Sequence, residues 1–166
     1  MPEDDPRRIA ANAYRTLAPA VLGYLRSQRV ADPEDVLGEV FLHVARDVGR
    51  FRGDEAALRR WVFSIAHNRS MDAHRKAKRD RSRLEAEIAE ERSAPAEAPT
   101  DLLDPGLIAA LAKLSDEQRE VVVLRFVADL SLEEVADITG RTTGAVKAMQ
   151  HRAMDNLRKA VSPDEG

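Results

Sequence analysis

Apolar residues recur along this chain at spacings of three and four, which is the pattern of one buried face of an α-helix. The first such segment runs from Ile9 to Ser27, with Pro19 as the candidate for a kink. A second is predicted to begin at Pro33 with Asp32 as its cap, and a third near Ala57. Alternating apolar and polar runs, which are typical of strands, are scarce. The pattern therefore predicts an all-α chain.

The segment from Ser131 to Lys159 has the outline of two short helices joined by a tight turn. Glu134 stands three positions after Ser131, as in a capping box that opens a helix. Gly140 supplies the left-handed backbone position that the turn needs. One face of the second helix is mostly cationic, and the inward face comprises Val146, Met149, Ala153 and Leu157. A DNA-binding helix-turn-helix is favoured, and a helical hairpin with a solvated basic face is the alternative.

Other apolar positions are predicted to form core beside these elements. Ser115 is predicted to cap a further helix. The core residues expected around that helix are Leu111, Leu114, Val121, Val122, Leu124 and Phe126. Trp61 shares its helical register with Leu58 and Ile65, so it is predicted to anchor the core rather than to stack on a base.

Composition excludes several classes of protein. With 43% hydrophobic residues, the 166-residue chain can bury real cores and is not a disordered protein. It contains no cysteine and its four histidines are scattered, so neither a metal site nor a cofactor is expected. No nucleophile–base constellation or glycine-rich phosphate cradle is present, and we predict that the protein is not an enzyme. No apolar run approaches the roughly 20 residues of a membrane span, which predicts a cytoplasmic protein without membrane insertion.

The formal net charge of −3 hides a segregation of charge along the chain. Residues 46–83 hold twelve basic and five acidic side chains, residues 84–104 one and seven, and residues 141–159 five and one. Both basic regions are suited to contact nucleic acid. The acidic stretch includes two prolines between Ser93 and Asp101, which is typical of a flexible linker. We therefore predict two small helical domains, residues 1–83 and 105–166, joined by an acidic linker at 84–104.

Three stretches of the sequence carry a family resemblance. They are residues 32–42 (DPEDVLGEVFL), residues 51–54 (FRGD) followed by 58–75 (LRRWVFSIAHNRSMDAHR), and residues 111–126 (LAKLSDEQREVVVLRF) running into the helix-turn-helix. In this order and spacing, the sequence resembles the bacterial extracytoplasmic-function (ECF) sigma factors, the minimal class of the sigma-70 family. The resemblance implies a sigma-2-like first domain and a sigma-4-like second domain.

The resemblance also implies a function. Such a protein binds core RNA polymerase, recognises the minus-35 and minus-10 promoter elements and promotes DNA melting, without catalysing a reaction itself. The implied protein partners are the clamp helices of the largest polymerase subunit, the flap of the second-largest subunit and an anti-sigma factor. Promoter DNA is the implied nucleic-acid partner.

Candidate contact residues follow from the same resemblance. Asp35 and Glu39, an acidic pair one turn apart, are the candidates for polymerase binding, and a solvated helix face is the alternative. The candidates for the minus-10 element are Phe51, Arg52, Gly53, Asp54, Asn68 and Arg75. The candidates for the minus-35 element are Thr143, Lys147, His151 and Arg152. Gly38 departs from the common family pattern where glutamine is usual, and Met149 and Gln150 depart where arginine and leucine are frequent.

Two other classes of function stay open on the residues alone. A helix-turn-helix regulator would bind duplex operator DNA independently of polymerase, usually as a dimer, but would not need the loop at Phe51 or the basic third helix. A protein-interaction module, such as an adaptor, would carry its basic face incidentally. Promoter-dependent transcription by core polymerase would separate a sigma factor from both.

Overall fold

Seven α-helices make up most of the computed structural model, which describes residues 5–87 and 105–161. The helices are α1 (Pro6–Ser27), α2 (Pro33–Asp47), α3 (Glu55–Glu87), α4 (Pro105–Ala112), α5 (Asp116–Val122), α6 (Leu132–Thr139) and α7 (Thr143–Val161). A 3-10 turn at Val48–Arg50 follows α2, and a π-helical turn at Val123–Val127 extends α5. No strand occurs in these two ranges, so the all-α prediction is confirmed. The predicted linker comprises residues 84–104. Residues 84–87 belong to α3, and the rest of the linker lies outside the described residues.

The first two helices begin close to the predicted positions. Asp5 caps α1 by accepting a hydrogen bond from the N–H of Arg7 (3.1 Å), and the helix continues past Pro19 to its end at Ser27. The second helix begins at Pro33, as predicted. Asp32 holds the N-cap position, as predicted, and its carbonyl accepts from the N–H of Val36 (3.1 Å), but its side chain makes no capping hydrogen bond. Its ψ of 75° differs from the extended value that usually aims a capping side chain at the first helical turn.

The helix-turn-helix forms as its sequence predicts. The Ser131 hydroxyl accepts from the N–H of Glu134 (3.0 Å), and the Glu134 carboxylate accepts from the N–H of Ser131 (2.8 Å). After α6, Gly140 adopts φ +70° and the N–H of Arg141 donates to the Ala136 carbonyl (3.0 Å). The capping box and the left-handed turn are both confirmed, and they fix the angle at which α7 leaves α6.

Helices from both ends of the chain pack against one another. We call α1–α3 the N-terminal half and α4–α7 the C-terminal half. One main core is shared between them, and its fully buried members include Val21, Tyr24, Leu25, Val62, Phe63, Val121, Leu124 and Val135. A smaller cluster within the C-terminal half contains Ala110, Leu111, Leu114, Val122, Ala153 and Leu157. The two halves therefore pack directly against each other through apolar side chains.

Phe126 is the one predicted core residue that the structure places outside the core. Its side chain is 53% exposed, whereas Leu124 two positions earlier is fully buried. Residues two positions apart in a helix lie on nearly opposite sides, so Phe126 faces away from the core that holds Leu124. The guanidinium of Arg125 lies 5.4 Å from the centre of the Phe126 ring.

Candidate nucleic-acid interface

One candidate surface is the exposed side of α7. Thr142, just before the helix, accepts a hydrogen bond from the N–H of Ala145 (3.0 Å) and so caps α7. Val146 and Ala153 are fully buried and hold the helix against the rest of the C-terminal half. The four residues predicted to contact the minus-35 element are all exposed on the other side, and they are Thr143, Lys147, His151 and Arg152. Their helical spacing places them on one continuous surface.

The two unusual residues of α7 lie away from that exposed surface. Met149 is partly buried and packs against the main core. Gln150 is also partly buried, and its Oε1 atom has no hydrogen-bond partner within the described residues. The inward position of Met149 agrees with the prediction. Both residues therefore lie on the inward side of α7 and are not part of its exposed basic surface.

A second candidate surface begins at the loop before α3. Arg52 donates to the carbonyl oxygens of Phe51 (2.8 Å) and Gly49 (3.2 Å), which folds its guanidinium back over the loop. Asp54 accepts from the N–H of Ala57 (2.9 Å), so this carboxylate caps α3 and starts the helix at Glu55. Two of the predicted minus-10 residues thus also hold the loop in place.

Gly53 is required by the shape of this loop. Its φ is +148°, a value that side chains other than glycine rarely adopt. A Cβ atom at this position would lie 2.8 Å from the Cβ of Ala57 and 3.1 Å from the Phe51 ring. The glycine therefore allows Phe51 to fold down against α3.

Phe51 stacks on Trp61, with ring centres 5.3 Å apart and planes at 23°. His43 from α2 meets the same indole edge-on at 6.3 Å. Trp61 is partly buried and packs against the main core, as predicted, but it also supports the loop through this stack. We call Phe51 and Trp61 the aromatic stack.

The aromatic stack is continued along α3 by two further predicted residues. Trp61, Asn68 and Arg75 are seven residues apart, so they fall on nearly one line along the helix at intervals of about 10.5 Å. Asn68 and Arg75 are exposed. Arg75 is paired with Asp72 (2.7 Å) on the same exposed face. Beyond them, the exposed cationic side chains of α3 are Lys76, Lys78, Arg79, Arg81 and Arg83. The sequence is thus folded so that an aromatic group, an amide and cations follow one another on one helix.

The predicted polymerase-binding pair lies on the solvent face of α2. Asp35 and Glu39 are both exposed, and Gly38 lies between them with no atom within 4 Å of the place a Cβ would take. Leu42, one turn after Glu39, is 72% exposed. Sequence analysis missed Leu42, although its spacing from Asp35 and Glu39 places it on their face. This face combines two carboxylates with an exposed aliphatic side chain.

A buried polar group connects the two halves, and sequence analysis did not find it. Glu120 of α5 accepts hydrogen bonds from the Tyr24 hydroxyl (2.7 Å) and from Nδ1 of His67 (2.9 Å). Because a carboxylate only accepts, Nδ1 of His67 carries a hydrogen. Arg141 approaches the other carboxylate oxygen to 3.7 Å. We call Tyr24, His67, Glu120 and Arg141 the bridging cluster.

The electrostatics of the bridging cluster favour an ionised Glu120. Burial raises the pKa of this carboxyl, but the hydrogen bonds from His67 and Tyr24 and the charges of His67 and Arg141 outweigh it and leave the pKa below its ordinary value. Burial, together with the negative charge of Glu120 and its hydrogen bond, raises the pKa of Tyr24 well above its ordinary value. The Tyr24 hydroxyl therefore stays protonated as a donor.

Two further contacts join the halves around this cluster. Arg119, which is 4% exposed, donates from Nε to the Ser27 carbonyl at the end of α1 (2.8 Å). The same guanidinium contacts the Leu114 carbonyl (3.1 Å) and the Asp116 carboxylate within its own half. At the surface, Arg60 pairs with Asp137 (2.8 Å). The residues that make these contacts lie far apart in the sequence. The one feature of the sequence that indicates burial of Glu120 is its helical register, which it shares with buried Val123 and Leu124.

Two other kinds of feature are not found among the described residues. None of their helices is long and apolar enough to span a bilayer. No group of three or more histidine or carboxylate side chains in the described ranges is arranged to hold a metal ion.

Comparison with known families matches both halves of the chain. The family profile described as Sigma-70 region 2 matches residues 13–80, and the profile described as Sigma-70, region 4 matches residues 110–159. The ECF RNA polymerase sigma factor SigD of Mycobacterium tuberculosis is 32% identical, over 93% of this chain and 78% of SigD. The RNA polymerase sigma factor CarQ of Myxococcus xanthus is 35% identical, over 87% of this chain and 84% of CarQ.

Solved structures support the fold. The sigma factor RpoE of Bartonella quintana, in complex with the anti-sigma factor NepR, has a TM-score of 0.71 at 24% identity, covering 93% of this chain and 97% of that one. CnrH, in complex with the cytosolic domain of CnrY, has a TM-score of 0.61 at 22% identity, covering 95% of this chain and 90% of that one. Both share the arrangement of helices described above.

Proposed function

This chain belongs to the ECF sigma factors of the sigma-70 family, and we propose that it initiates transcription through two separate DNA-contacting surfaces. Members of this family are DNA-binding initiation factors and not classical enzymes. As an RNA polymerase sigma factor, the protein has core RNA polymerase and promoter DNA as its partners. The observation that carries the proposal is the line formed by the aromatic stack, Asn68 and Arg75, which a regulator that only reads duplex DNA does not need.

The first surface would hold the minus-10 element during melting. A base that leaves the duplex loses stacking worth a few kcal/mol, and a protein offsets this loss with aromatic contacts and hydrogen bonds to the base edge. Phe51 supplies an aromatic ring whose loop is fixed by Arg52, Gly53 and Asp54. Asn68 supplies an amide that can both donate and accept. Arg75 and the cations beyond it would hold the phosphates of the displaced strand.

The second surface would read the minus-35 element with α7. Its exposed side chains are positioned by the capped, left-handed turn at Gly140 and by the buried face of the helix. An exposed helix of this kind fits the major groove, where side chains reach base edges. Thr143, Lys147, His151 and Arg152 are the residues we propose for these contacts.

Polymerase docking would use the face of α2. Asp35 and Glu39 present negative charge for a basic partner surface, and complementary charge orients such docking. We propose the clamp helices of the largest subunit as their partner, and the flap of the second-largest subunit as a partner of the C-terminal half. In this arrangement residues 1–83 form the domain that binds polymerase and the minus-10 element, residues 84–104 the acidic linker, and residues 105–166 the domain that binds the minus-35 element.

Regulation by an anti-sigma factor is part of the proposal. Two observations support this regulation. The solved structure of RpoE is a complex with the anti-sigma factor NepR, and that of CnrH is a complex with the cytosolic domain of CnrY. With polymerase as its partner, the chain would act in the cytoplasm. A helix-turn-helix regulator that acts without polymerase is not favoured, because the region 2 match covers residues 13–80, which such a regulator does not need.

Run-off transcription with purified core polymerase over a promoter library tests this function. The protein is expected to produce promoter-dependent transcripts that core polymerase alone does not make. Absence of both core binding and such transcripts, without any inhibitor present, would overturn the proposal.

Site variants test the division of labour between the surfaces. The double variant Asp35→Asn with Glu39→Gln should weaken core binding, with Glu34→Gln on the same helix as the matched control.

Asn68→Ala should impair promoter opening, measured by permanganate footprinting, more than core binding. Lys147→Ala should weaken binding to minus-35 duplex and reduce its salt dependence, whereas Lys113→Ala, at an exposed site between α4 and α5, should not. If the three sets of variants gave the same defect, the assignment would be wrong.

A further inference from the structure

A histidine of α2 contacts the aromatic stack from the side. The ring of His43 meets the indole of Trp61 edge-on, with ring centres 6.3 Å apart. We propose that His43 is a positioning residue for promoter melting: held by Asp47, it fixes the aromatic stack so that the phenyl ring can meet an unpaired base. This rests on the proposed function, because that function gives the aromatic stack its task in melting.

The His43 ring is held from within its own helix. Its Nε2 atom lies 3.1 Å from Oδ2 of Asp47, one turn later in α2. A carboxylate attracts a ring nitrogen that carries a hydrogen and repels one that carries a lone pair, so this pairing favours a hydrogen on Nε2. Nδ1, the other ring nitrogen, is buried and has no hydrogen-bond partner within the described residues. The pairing with Asp47 is therefore the polar contact that sets the orientation of the imidazole.

Asp47 is placed to hold this ring and contributes little else to the fold. It is the last residue of α2 and precedes the 3-10 turn at Val48–Arg50, but its side chain makes no capping hydrogen bond there. Its other carboxylate oxygen pairs with Arg46 at 3.3 Å, and that arginine side chain is 65% exposed. An exposed pair of this kind adds little stability. Removing the Asp47 carboxylate should therefore release His43 without unfolding the helix.

The contacts form a closed circuit around the loop before α3. From Asp47 the backbone runs through the 3-10 turn, where the N–H of Phe51 donates to the carbonyl of buried Val48 (3.0 Å). The Phe51 ring then stacks on Trp61, which in turn meets the His43 ring. The indole is thus contacted by one nearly parallel ring and one perpendicular ring, and the same short stretch of chain supplies both.

This circuit bears on melting because it orders a ring before the base arrives. Aromatic pairs adopt a range of offsets, so stacking alone does not fix where the Phe51 ring lies. The perpendicular His43 ring narrows that range. A ring that is already in place binds a base more tightly, because less of the interaction is lost to ordering the side chain. Loss of one edge-on ring contact changes an equilibrium by about two- to tenfold, and we expect an effect of that size on opening.

Promoter opening by variants of the circuit tests the proposal. Holoenzyme is assembled from core polymerase and each variant, and opening of a promoter found in the run-off library is followed by permanganate reactivity. We expect His43→Ala and Asp47→Ala to open the promoter about two- to tenfold more slowly, with core binding unchanged. The double variant should be no slower than His43→Ala alone, because Asp47 acts through the imidazole. Arg46→Ala is the matched control, since Arg46 is the exposed partner of the same carboxylate.

A premelted promoter separates positioning from a defect in folding. On a template whose minus-10 region is already unpaired, both single variants should give nearly as much transcript as the unaltered chain, because the cost of unstacking is removed. A protein that is merely unstable would stay deficient on this template. Circular dichroism checks the helices of each variant. If His43→Ala loses them, Asp47→Ala decides, because it leaves all three rings in place.

Fluorescence of the free protein gives a measurement that needs no polymerase. Trp61 is the one tryptophan in the sequence, so acrylamide quenching reports the exposure of this indole. Quenching should increase in Asp47→Ala, although that variant keeps the imidazole, because the ring is no longer held against Trp61. It should stay unchanged in Arg46→Ala.

The outcomes separate this role from the proposed function. An unaltered opening rate in either single variant, effects that multiply in the double variant, or a deficit that persists on the premelted promoter would each overturn the role of His43. Failure of the unaltered chain to support any promoter-dependent transcript would count against the proposed function instead. Quenching does not depend on transcription, so unchanged quenching in Asp47→Ala would overturn the positioning of Trp61 in either case.

Discussion

Gly38 lowers the helix propensity of α2 and leaves the proposed polymerase-binding face without a side chain at this position. It sits in the exposed middle of α2, where glycine costs a helix about 1 kcal/mol relative to alanine, and it leaves a gap between Asp35 and Glu39. Nothing in the structure requires a glycine there, since the space around its Cβ position is empty. The glycine is therefore a position at which a larger side chain would be accommodated without a clash.

Gly38→Gln is expected to repair both defects. The melting temperature should rise by about 1–4 °C from the gain in helix propensity, and affinity for core polymerase should increase because an amide fills the gap. Differential scanning calorimetry and a core-binding titration measure the two effects. Gly38→Ala is the control, with a similar thermal shift but no gain in affinity. If alanine increased affinity as much as glutamine, the order of the helix rather than the amide would be responsible.

Glu120 makes the stability of the fold depend on pH. Because its folded pKa lies below the ordinary value of 4.5, its contribution is fully present above that pH and is lost as pH falls through the folded pKa. The groups that face it are Tyr24 from α1, His67 from α3 and Arg141 from the turn before α7. Urea unfolding should show Glu120→Gln to be about 1–3 kcal/mol less stable than the unaltered chain at neutral pH, with the difference shrinking as the pH falls below 4.5. Glu117→Gln should show little difference at any pH, and a Glu120→Gln deficit that grew in acid would contradict this assignment.

At the scale of the helices, the sequence predicts where helices begin and end better than it predicts which side chains face the core. Ser115, Ser131 and Gly140 each mark a helix end through their own backbone and near neighbours, so the sequence predicts them correctly. The prediction for Phe126 was wrong because Phe126 lies on the side of the helical turn opposite the buried Leu124. The candidate surfaces on α7 and α3 were predictable for the same reason as the caps, since helical periodicity alone places their residues on one side.

The capping box of α6 provides a test at this scale. Ser131→Ala should reduce the free energy of unfolding by about 1 kcal/mol, because the N–H of Glu134 loses its acceptor. Its effect on binding to minus-35 duplex should be smaller than that of Lys147→Ala, because the exposed side of α7 is unchanged. Glu134→Gln keeps a capping box and should unfold like the unaltered chain. Urea unfolding and fluorescence anisotropy would measure the two effects, and a loss of binding without a loss of stability would contradict the structural role.

For the whole molecule, the sequence predicts the parts but not their contact. Charge and prolines predict two domains and a linker, whereas the bridging cluster joins residues that lie 53 and 96 positions apart in the sequence. No local pattern reports such pairs, since both Tyr24 and His67 look like ordinary members of amphipathic helices. The direct packing of the halves therefore became visible only in three dimensions.

The shared core predicts how the molecule unfolds. The chain has one tryptophan, Trp61, in the N-terminal half, whereas far-ultraviolet circular dichroism reports helices in both halves. In urea, the two signals should change together in the unaltered chain, because packing across the halves couples them. In Glu120→Gln, the circular dichroism transition should broaden or separate from the tryptophan transition. Separate transitions in the unaltered chain would show that the halves unfold independently.

The seven-residue spacing of Trp61, Asn68 and Arg75 fixes both the distances between these side chains along α3 and the side of the helix on which they lie. Two intervals of seven residues cover about 21 Å, which equals the rise of about six stacked nucleotides. This arrangement depends on the helical register of the three residues as much as on their residue types. One residue inserted between Asn68 and Arg75 would turn the guanidinium through about 100° and carry it off the line, while leaving every side chain present. The length and phase of this helix are thus under tighter constraint than most of the individual residues on its surface.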